Sequence, residues 1–315
     1  MKKYLVIAIL LVLLAATFAP SFAQDDFTVV LVENPWTASS LNVNVAKILL
    51  EEELGYEVEI ILLDESAQWA AIGAGEAHAS LEVWPSGHQE NIEEYINELE
   101  VVVDGGAVGP VGKIGWYVPS YVVEEHPELA TWEGFTDPEV AGLFATAETG
   151  DNGQFLGAAP GWVQYDEQII ENLELPLQVV SGGSEEAILA AVQAAYRREE
   201  PVLFYFWTPH SVHAEYELTE VELPEYTEEC YEGAAEGEID NIACDYPEDV
   251  LFKIFWGDLE EEAPEAFEFL SKMTYTTEDQ IAMIAAVELD GLTVEEAAQQ
   301  WIDDNEDVWS EWLPE

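Results

Sequence analysis

The chain has 315 residues and sets 66 Asp and Glu against 8 Lys and Arg, a formal charge of −58 at pH 7. A field of that sign repels phosphate backbones and anionic lipid, which excludes nucleic acid and acidic membrane surfaces as partners. So few cations also leave little from which to build a phosphate, sulfate or dicarboxylate site, because those want convergent Arg or Lys.

Residues 1–23 place Lys2 and Lys3 ahead of an apolar run from Tyr4 to about Ala19, and Ser21, Phe22 and Ala23 follow before Gln24. This is the pattern of a cleaved secretory signal peptide, too short in its core for a membrane span. No cysteine follows the run, so no lipid anchor is expected, and the mature protein is placed in the periplasm or another extracytoplasmic space. Loss of Lys2 and Lys3 leaves six basic residues against 66 acidic ones, or −60. Such a surface suits brine, where the Debye length shrinks to ~3 Å at 1 M salt.

The mature chain alternates strand and helix. Residues 26–33 (DFTVVLVE) read as an apolar strand, and residues 40–54 have helical spacing with Ser39 or Ser40 as cap. Strands are predicted over 57–63 and 77–84, with a short helix over 66–75 between them. This βαβαβ order implies parallel strands with helices on both faces. Over 101–122 the pattern breaks into Gly, Pro and short strands, as at a crossing between lobes. A second set follows: a strand over 142–148, a helix over 161–173 opening at Pro160-Gly161-Trp162, and a strand over 177–183. It continues with a helix over 184–198 capped by Ser184, and a strand over 202–207 (VLFYFW). Beyond residue 218 the chain reads as loop through Cys230 and Cys244, then as helices over 261–273, 276–289 and 293–313. The last opens on a capping box, Thr293 with Glu296. In an oxidising compartment the two cysteines are expected to pair, stabilising by roughly 3 kcal/mol.

Ligands of open α/β sheets bind beyond the carboxyl ends of the strands. Trp84 ends a predicted strand just before Pro85, Trp207 ends another just before Thr208-Pro209, Trp162 stands at a loop-to-helix junction, and Trp36 follows the first strand. Converging indole faces make a box for a quaternary ammonium, which has no N–H to donate and binds by cation–π attraction at ~2 kcal/mol or more per desolvated Trp. A carboxylate on the same ligand would take backbone N–H groups at a helix start after Trp36 or Trp162. Trp69, Trp256, Trp301, Trp309 and Trp312 sit in helical patterns and read as core.

The segments VENPWTASSLNVNVAKILL, ASLEVWPSGHQEN, GAAPGW and FYFWTPH resemble the substrate-binding proteins of ABC importers for glycine betaine, choline and related compatible solutes. The resemblance covers nearly the whole mature chain. It implies an α/β, two-lobed periplasmic-binding-protein fold of type II, with mostly parallel sheets flanked by helices and a hinge of two crossings. Lobe 1 is expected over 24–105 and 218–315, and lobe 2 over 106–217. Matched residue by residue, it implies a cage of Trp84, Trp162 and Trp207, with His210 beside the ligand carboxylate and Trp36 in the loop after the first strand. It further implies delivery to a permease and its ATPase, with no catalysis and no cofactor. Some members carry a disulfide around the PGW loop, whereas here the cysteines lie elsewhere.

Other readings keep the fold and change the ligand to an amino acid such as histidine or to a sugar, or make the chain an exported hydrolase. Close carboxylate pairs, which a glycosidase would need, arise by chance among 66 acids. No nucleophile elbow, HExxH or phosphate loop is present. His210, His213 and Glu215 suggest a metal site but lack a third strong ligand. Within the methylated ammonium class, Glu33 or Glu82 beside the head group would favour choline.

Overall fold

A computed structural model describes residues 27–315, so the expected signal peptide lies outside the described residues. Runs of Val, Ile and Leu bounded by turns become strands, which stack in parallel at each end of one sheet. At one end are β1 (Thr28–Glu33), β2 (Glu57–Leu62) and β3 (Ala79–Val83), in the order β2-β1-β3. Between them run the helices α1 (Thr37–Glu52) and α2 (Ala67–Gly73). The long strand β4 (Val102–Pro119) leads to the other end. There β5 (Gly153–Gly157), α3 (Asp166–Asn172), β6 (Leu177–Ser181), α4 (Glu185–Arg198) and β7 (Leu203–Thr208) build a second parallel set, in the order β7-β5-β6. The short β8 (Leu218–Glu220) pairs with the end of β4, and β9 (Glu248–Trp256) fills the gap between β3 and β4. Helices α5 (Pro264–Lys272), α6 (Thr277–Glu288) and α7 (Val294–Asp304) close the chain.

Strand directions decide where a crevice can form. β4 pairs antiparallel with β9 over Val102 to Lys113, and antiparallel with β7 over Lys113 to Tyr117. β9 in turn is antiparallel to β3. The β1–β3 set therefore runs the same way as β4 and attaches to its first part through β9, while the β5–β7 set runs against it and attaches to its last part. The carboxyl ends of the two sets consequently point at each other across the middle of β4. Lys113, the residue common to both pairings, is held there by Asp245 at 2.9 Å and by Glu220.

Several expectations are corrected. Residues 101–122 are not broken: β4 is one strand of 18 residues whose register shifts between Asp104 and Ala107 and again between Ala107 and Val111. Its glycines absorb those bulges rather than ending the strand. Gly109 has φ +120°, and a Cβ on Gly105 would lie 2.4 Å from the Phe255 ring. Residues 142–148 hold only a short 3₁₀ turn, Gly142–Phe144, and the strand lies later in GQFLG. β9 replaces an expected loop, and Trp256 ends that strand instead of a helix. Its period-2 pattern is interrupted by Lys253, fully buried, whose ammonium donates to the carbonyls of Ser271 (2.9 Å) and Met273 (2.6 Å). Burial lowers the pKa of that lysine to about 8. The last predicted helix breaks at Asn305.

Cys230 and Cys244 form a disulfide that closes the loop between β8 and β9. Reduction, or the double substitution to Ser, is expected to lower stability by about 3 kcal/mol. The melting temperature should fall by roughly 6–12 °C in differential scanning calorimetry. An unchanged melting temperature would mean that packing alone holds the loop.

Candidate ligand-binding site

Four indoles meet where the carboxyl ends of the two sets face each other. Trp36 follows β1, Trp84 follows β3, Trp162 lies in the loop after β5, and Trp207 is the penultimate residue of β7. With Glu65, Ile114, Val163 and Tyr205 they line one small cavity. The indoles are only 5–8 % exposed. Trp162 stands edge-on to Trp36 (centroids 6.1 Å, 88°) and to Trp207 (5.1 Å, 81°), so the rings form walls rather than a stack. Trp207 is braced from behind by Phe206, stacked at 4.3 Å.

The two walls from the first set share one anchor. Trp36 Nε1–H donates to Glu82 Oε1 at 2.8 Å, and Trp84 Nε1–H donates to the same oxygen at 3.2 Å. Asn42 Nδ2 (2.8 Å) and Gln280 Nε2 (3.3 Å) donate to Glu82 Oε2. Burial pushes the Glu82 carboxyl up to about 7, against the lowering effect of the Trp36, Trp84 and Asn42 hydrogen bonds and with a smaller push from Glu185. Trp84 also packs against the backbone of β4, where a Cβ on Gly112 would come within 2.4 Å of its six-membered ring.

Glu65 brings a carboxylate to the cavity itself. It is 5 % exposed and ties the two sides together, accepting the backbone N–H of Val163 and the Nε2–H of His88 at 3.1 Å. Trp69 Nε1–H donates to His88 Nδ1 at 3.2 Å, which leaves the imidazole proton on Nε2 facing Glu65. Of the lining residues none is Lys or Arg. The Nε1–H of Trp162 is buried without an acceptor.

Two expectations about polar contacts change. Ser39 and Ser40 do not cap α1, which starts at Thr37: Ser39 Oγ accepts from Asn34 N–H and Ser40 Oγ–H donates to Glu33. The start of α1 is met instead by Glu185 from the second set, which accepts from Thr37 N (2.7 Å) and Oγ1 (3.0 Å). The backbone N–H groups after Trp36 and Trp162 are thus both taken by protein carboxylates. His210 does not line the cavity. Its Nδ1 accepts from Val212 N–H at 3.1 Å, and its Nε2–H points at Glu185 (2.9 Å) with Glu288 at 3.3 Å. Ser211 Oγ–H donates to Glu288 at 2.7 Å, so this cluster clasps α1, α4 and α6 beside the cavity. His213 turns away to the Trp207 carbonyl, and the group whose donor atoms converge is Glu185, His210 and Glu288, without Glu215.

Tyr205, Glu65, Val163 and Ile114 were not singled out from the sequence. Tyr205 had a signal, since it stands two residues before Trp207 on one strand. Ile114 is opposite Trp207 only through the β4–β7 register, and Glu65 and Val163 meet only in three dimensions. Glu33, weighed as a neighbour of the head group, is bound to Ser40 instead.

Comparison with known proteins agrees with this architecture. Residues 28–304 match the substrate-binding domain of ABC-type glycine betaine transport systems. The trimethylamine N-oxide-binding protein of Pelagibacter ubique is 26 % identical, covering 98 % of this chain and 99 % of that protein. The glycine betaine/proline betaine-binding periplasmic protein of Salmonella typhimurium is 24 % identical, covering 63 % of this chain and 60 % of its own length. Among solved structures, lactococcal OpuAC in its closed conformation with glycine betaine shares the fold with a TM-score of 0.70 at 22 % identity, over 91 % of this chain and 99 % of that one. An ABC-transporter choline-binding protein with choline gives 0.68 at 20 % identity, over 90 % and 91 %.

The contact between Trp84 and Gly112 is testable without a ligand. Gly112→Ala should displace the indole, cost about 1–3 kcal/mol by overpacking and change the tryptophan emission spectrum. A variant with native stability and emission would show that Trp84 does not rest on β4.

Proposed function

The chain belongs to the family of substrate-binding domains of ABC-type glycine betaine transport systems, and on that premise we propose that it captures a small methylated ammonium solute. The solute is held between the two sides of the sheet for delivery to a membrane permease and its ATPase, outside the cytoplasm and without turnover. One observation carries this reading: four indoles from both sides line one small cavity that has a carboxylate and no basic residue. A cation without N–H groups gains from every face it touches. Three or four faces at ~2 kcal/mol each supply most of the ~8 kcal/mol of a micromolar complex.

The polar end of the solute has fewer options. With the N–H groups of Thr37 and Val163 engaged by Glu185 and Glu65, the donors left for a ligand oxygen are side chains of the lining, among them the buried Nε1–H of Trp162 and the hydroxyl of Tyr205. A hydroxyl, a carboxylate or the single oxygen of an N-oxide meets that need. A sugar or a bulky amino acid fits the small cavity less well, and an anionic group must compete with Glu65. Trimethylamine N-oxide joins the quaternary ammonium solutes as a candidate because the Pelagibacter relative of the same length bears that name.

Isothermal titration with choline, glycine betaine, trimethylamine N-oxide, histidine and sucrose tests the reading. Micromolar binding of at least one methylated amine is expected, with no product formed and no heat from sucrose or histidine. Trp207→Ala should weaken that binding at least about tenfold while keeping the fold, with a lowered melting temperature because a buried ring is removed. Equal affinity in the variant would remove Trp207 from the site, and tight sucrose binding would replace the cation reading.

A further inference from the structure

Glu82 is not itself one of the residues that line the cavity, yet it holds two of the four indoles that do. Four donors converge on its two oxygens: two cage indoles, Asn42 from α1 and Gln280 from α6. Such convergence suits a carboxylate, which accepts at every lone pair, better than a carboxylic acid, which must donate. Burial opposes this, because no Lys or Arg accompanies the charge. We propose that Glu82 is a positioning residue for cation capture, fixing the Trp36 and Trp84 rings by their N–H groups and placing a hidden negative charge behind the faces that a cation meets.

The inference rests on the methylated-ammonium reading and goes beyond it. An indole that donates to a carboxylate is polarised, its ring becoming richer in electrons, which strengthens attraction to a cation on its face. The low dielectric of the buried seam keeps the Glu82 charge effective through the ring. Binding and ionisation are then linked. A cation in the cage favours the carboxylate, and the carboxylate favours the cation. In the free protein Glu82 titrates near neutral pH, so capture should strengthen as pH rises through that range.

The groups around Glu82 allow the effect to be isolated. The side chains it meets on α1 and α6 are neutral amides. From α4 it feels Glu185, which is bound to Thr37 and His210. Tyr275, before α6, has its phenol raised well above 10 and stays neutral. Glu65 stands in the cavity lining. Asp166 and Asp249 also titrate near 7 and 6, and they remain in a Glu82 variant. Glu82→Gln keeps the shape, and Asn42, whose Oδ1 has no partner, can turn its amide to accept the new N–H.

The test is titration of the wild type and Glu82→Gln with tetramethylammonium and with glycine betaine, neither of which changes charge between pH 5.5 and 8.5. Wild-type affinity for tetramethylammonium should rise about tenfold across that range with a midpoint near pH 7. Glu82→Gln should be flat, about tenfold weaker at pH 8.5 and close to wild type at pH 5.5. A flat wild-type profile overturns the inference, and so does an unchanged profile in the variant. Glu65→Gln should bind more weakly yet keep the pH dependence. A wild type that binds neither probe at any pH overturns the cage reading itself, and this inference with it.

Discussion

Pairing along β4 is the constraint from which the rest follows. One strand of 18 residues carries the β1–β3 set through β9 on its first part and the β5–β7 set on its last part. Because the two sets run in opposite directions, their carboxyl ends are aimed at the same gap. Strand ends are where side chains leave the ladder, so this gap collects residues that neither set could bury alone. The indoles of Trp36, Trp84, Trp162 and Trp207 close it into a cavity. Ile114, on β4 itself, joins the lining, and the lack of a side chain at Gly112 leaves room for the Trp84 ring.

The acidity of the chain has an interior counterpart. Glu65, Glu82, Glu185 and Glu288 gather around the seam, and among the described residues none of them is paired with Lys or Arg. They are held instead by indole and amide N–H groups, backbone N–H groups, hydroxyls and imidazoles. Most of these hydrogen bonds satisfy the oxygens without cancelling charge; the exception is His210, where burial is outweighed by the Glu185 and Glu288 hydrogen bonds, the pKa rises to about 9, and the imidazolium offsets one of the charges. The seam therefore keeps a negative potential that suits a cationic occupant and disfavours an anionic one. Three of these carboxylates also bridge elements far apart in sequence: Glu65 reaches Val163, Glu185 reaches Thr37, and Glu288 reaches Ser211. The contacts that shape the cavity are thus also the contacts that join its two sides.

Helix termini show how the same chemistry is shared between local and distant partners. α4 begins on Ser184, whose Oγ accepts from Ala187 N–H, and α7 begins on the Thr293–Glu296 capping box, both within a few residues of sequence. α1 has no such residue, since Trp36 occupies its cap position. A carboxylate from α4 supplies what is missing. The start of α1 gives up a local cap, the indole next to it faces the cavity, and the helix end is satisfied from across the seam.

Strand-end tryptophans, the βαβ rhythm, the Cys230–Cys244 pair and the Thr293–Glu296 capping box were legible from the sequence, because each depends on neighbours within a few positions or on composition. Their arrangement in space was not. β9 was hidden by Lys253 in its middle, whose charge is tolerated only because two carbonyls from the end of α5 and just beyond it receive the ammonium. β4 looked broken because its glycines, which mark bulges, resemble those that mark turns. His210, expected at the ligand, is claimed by Glu185 and Glu288, and Glu82 accepts the N–H groups of two indoles. By itself the sequence determined which residue types stand at the strand ends, since adjacency along the chain sets that. Only the tertiary structure decided which carboxylate meets which donor, because hydrogen bonds between residues tens of positions apart depend on strand register and on the opposed course of the two sets.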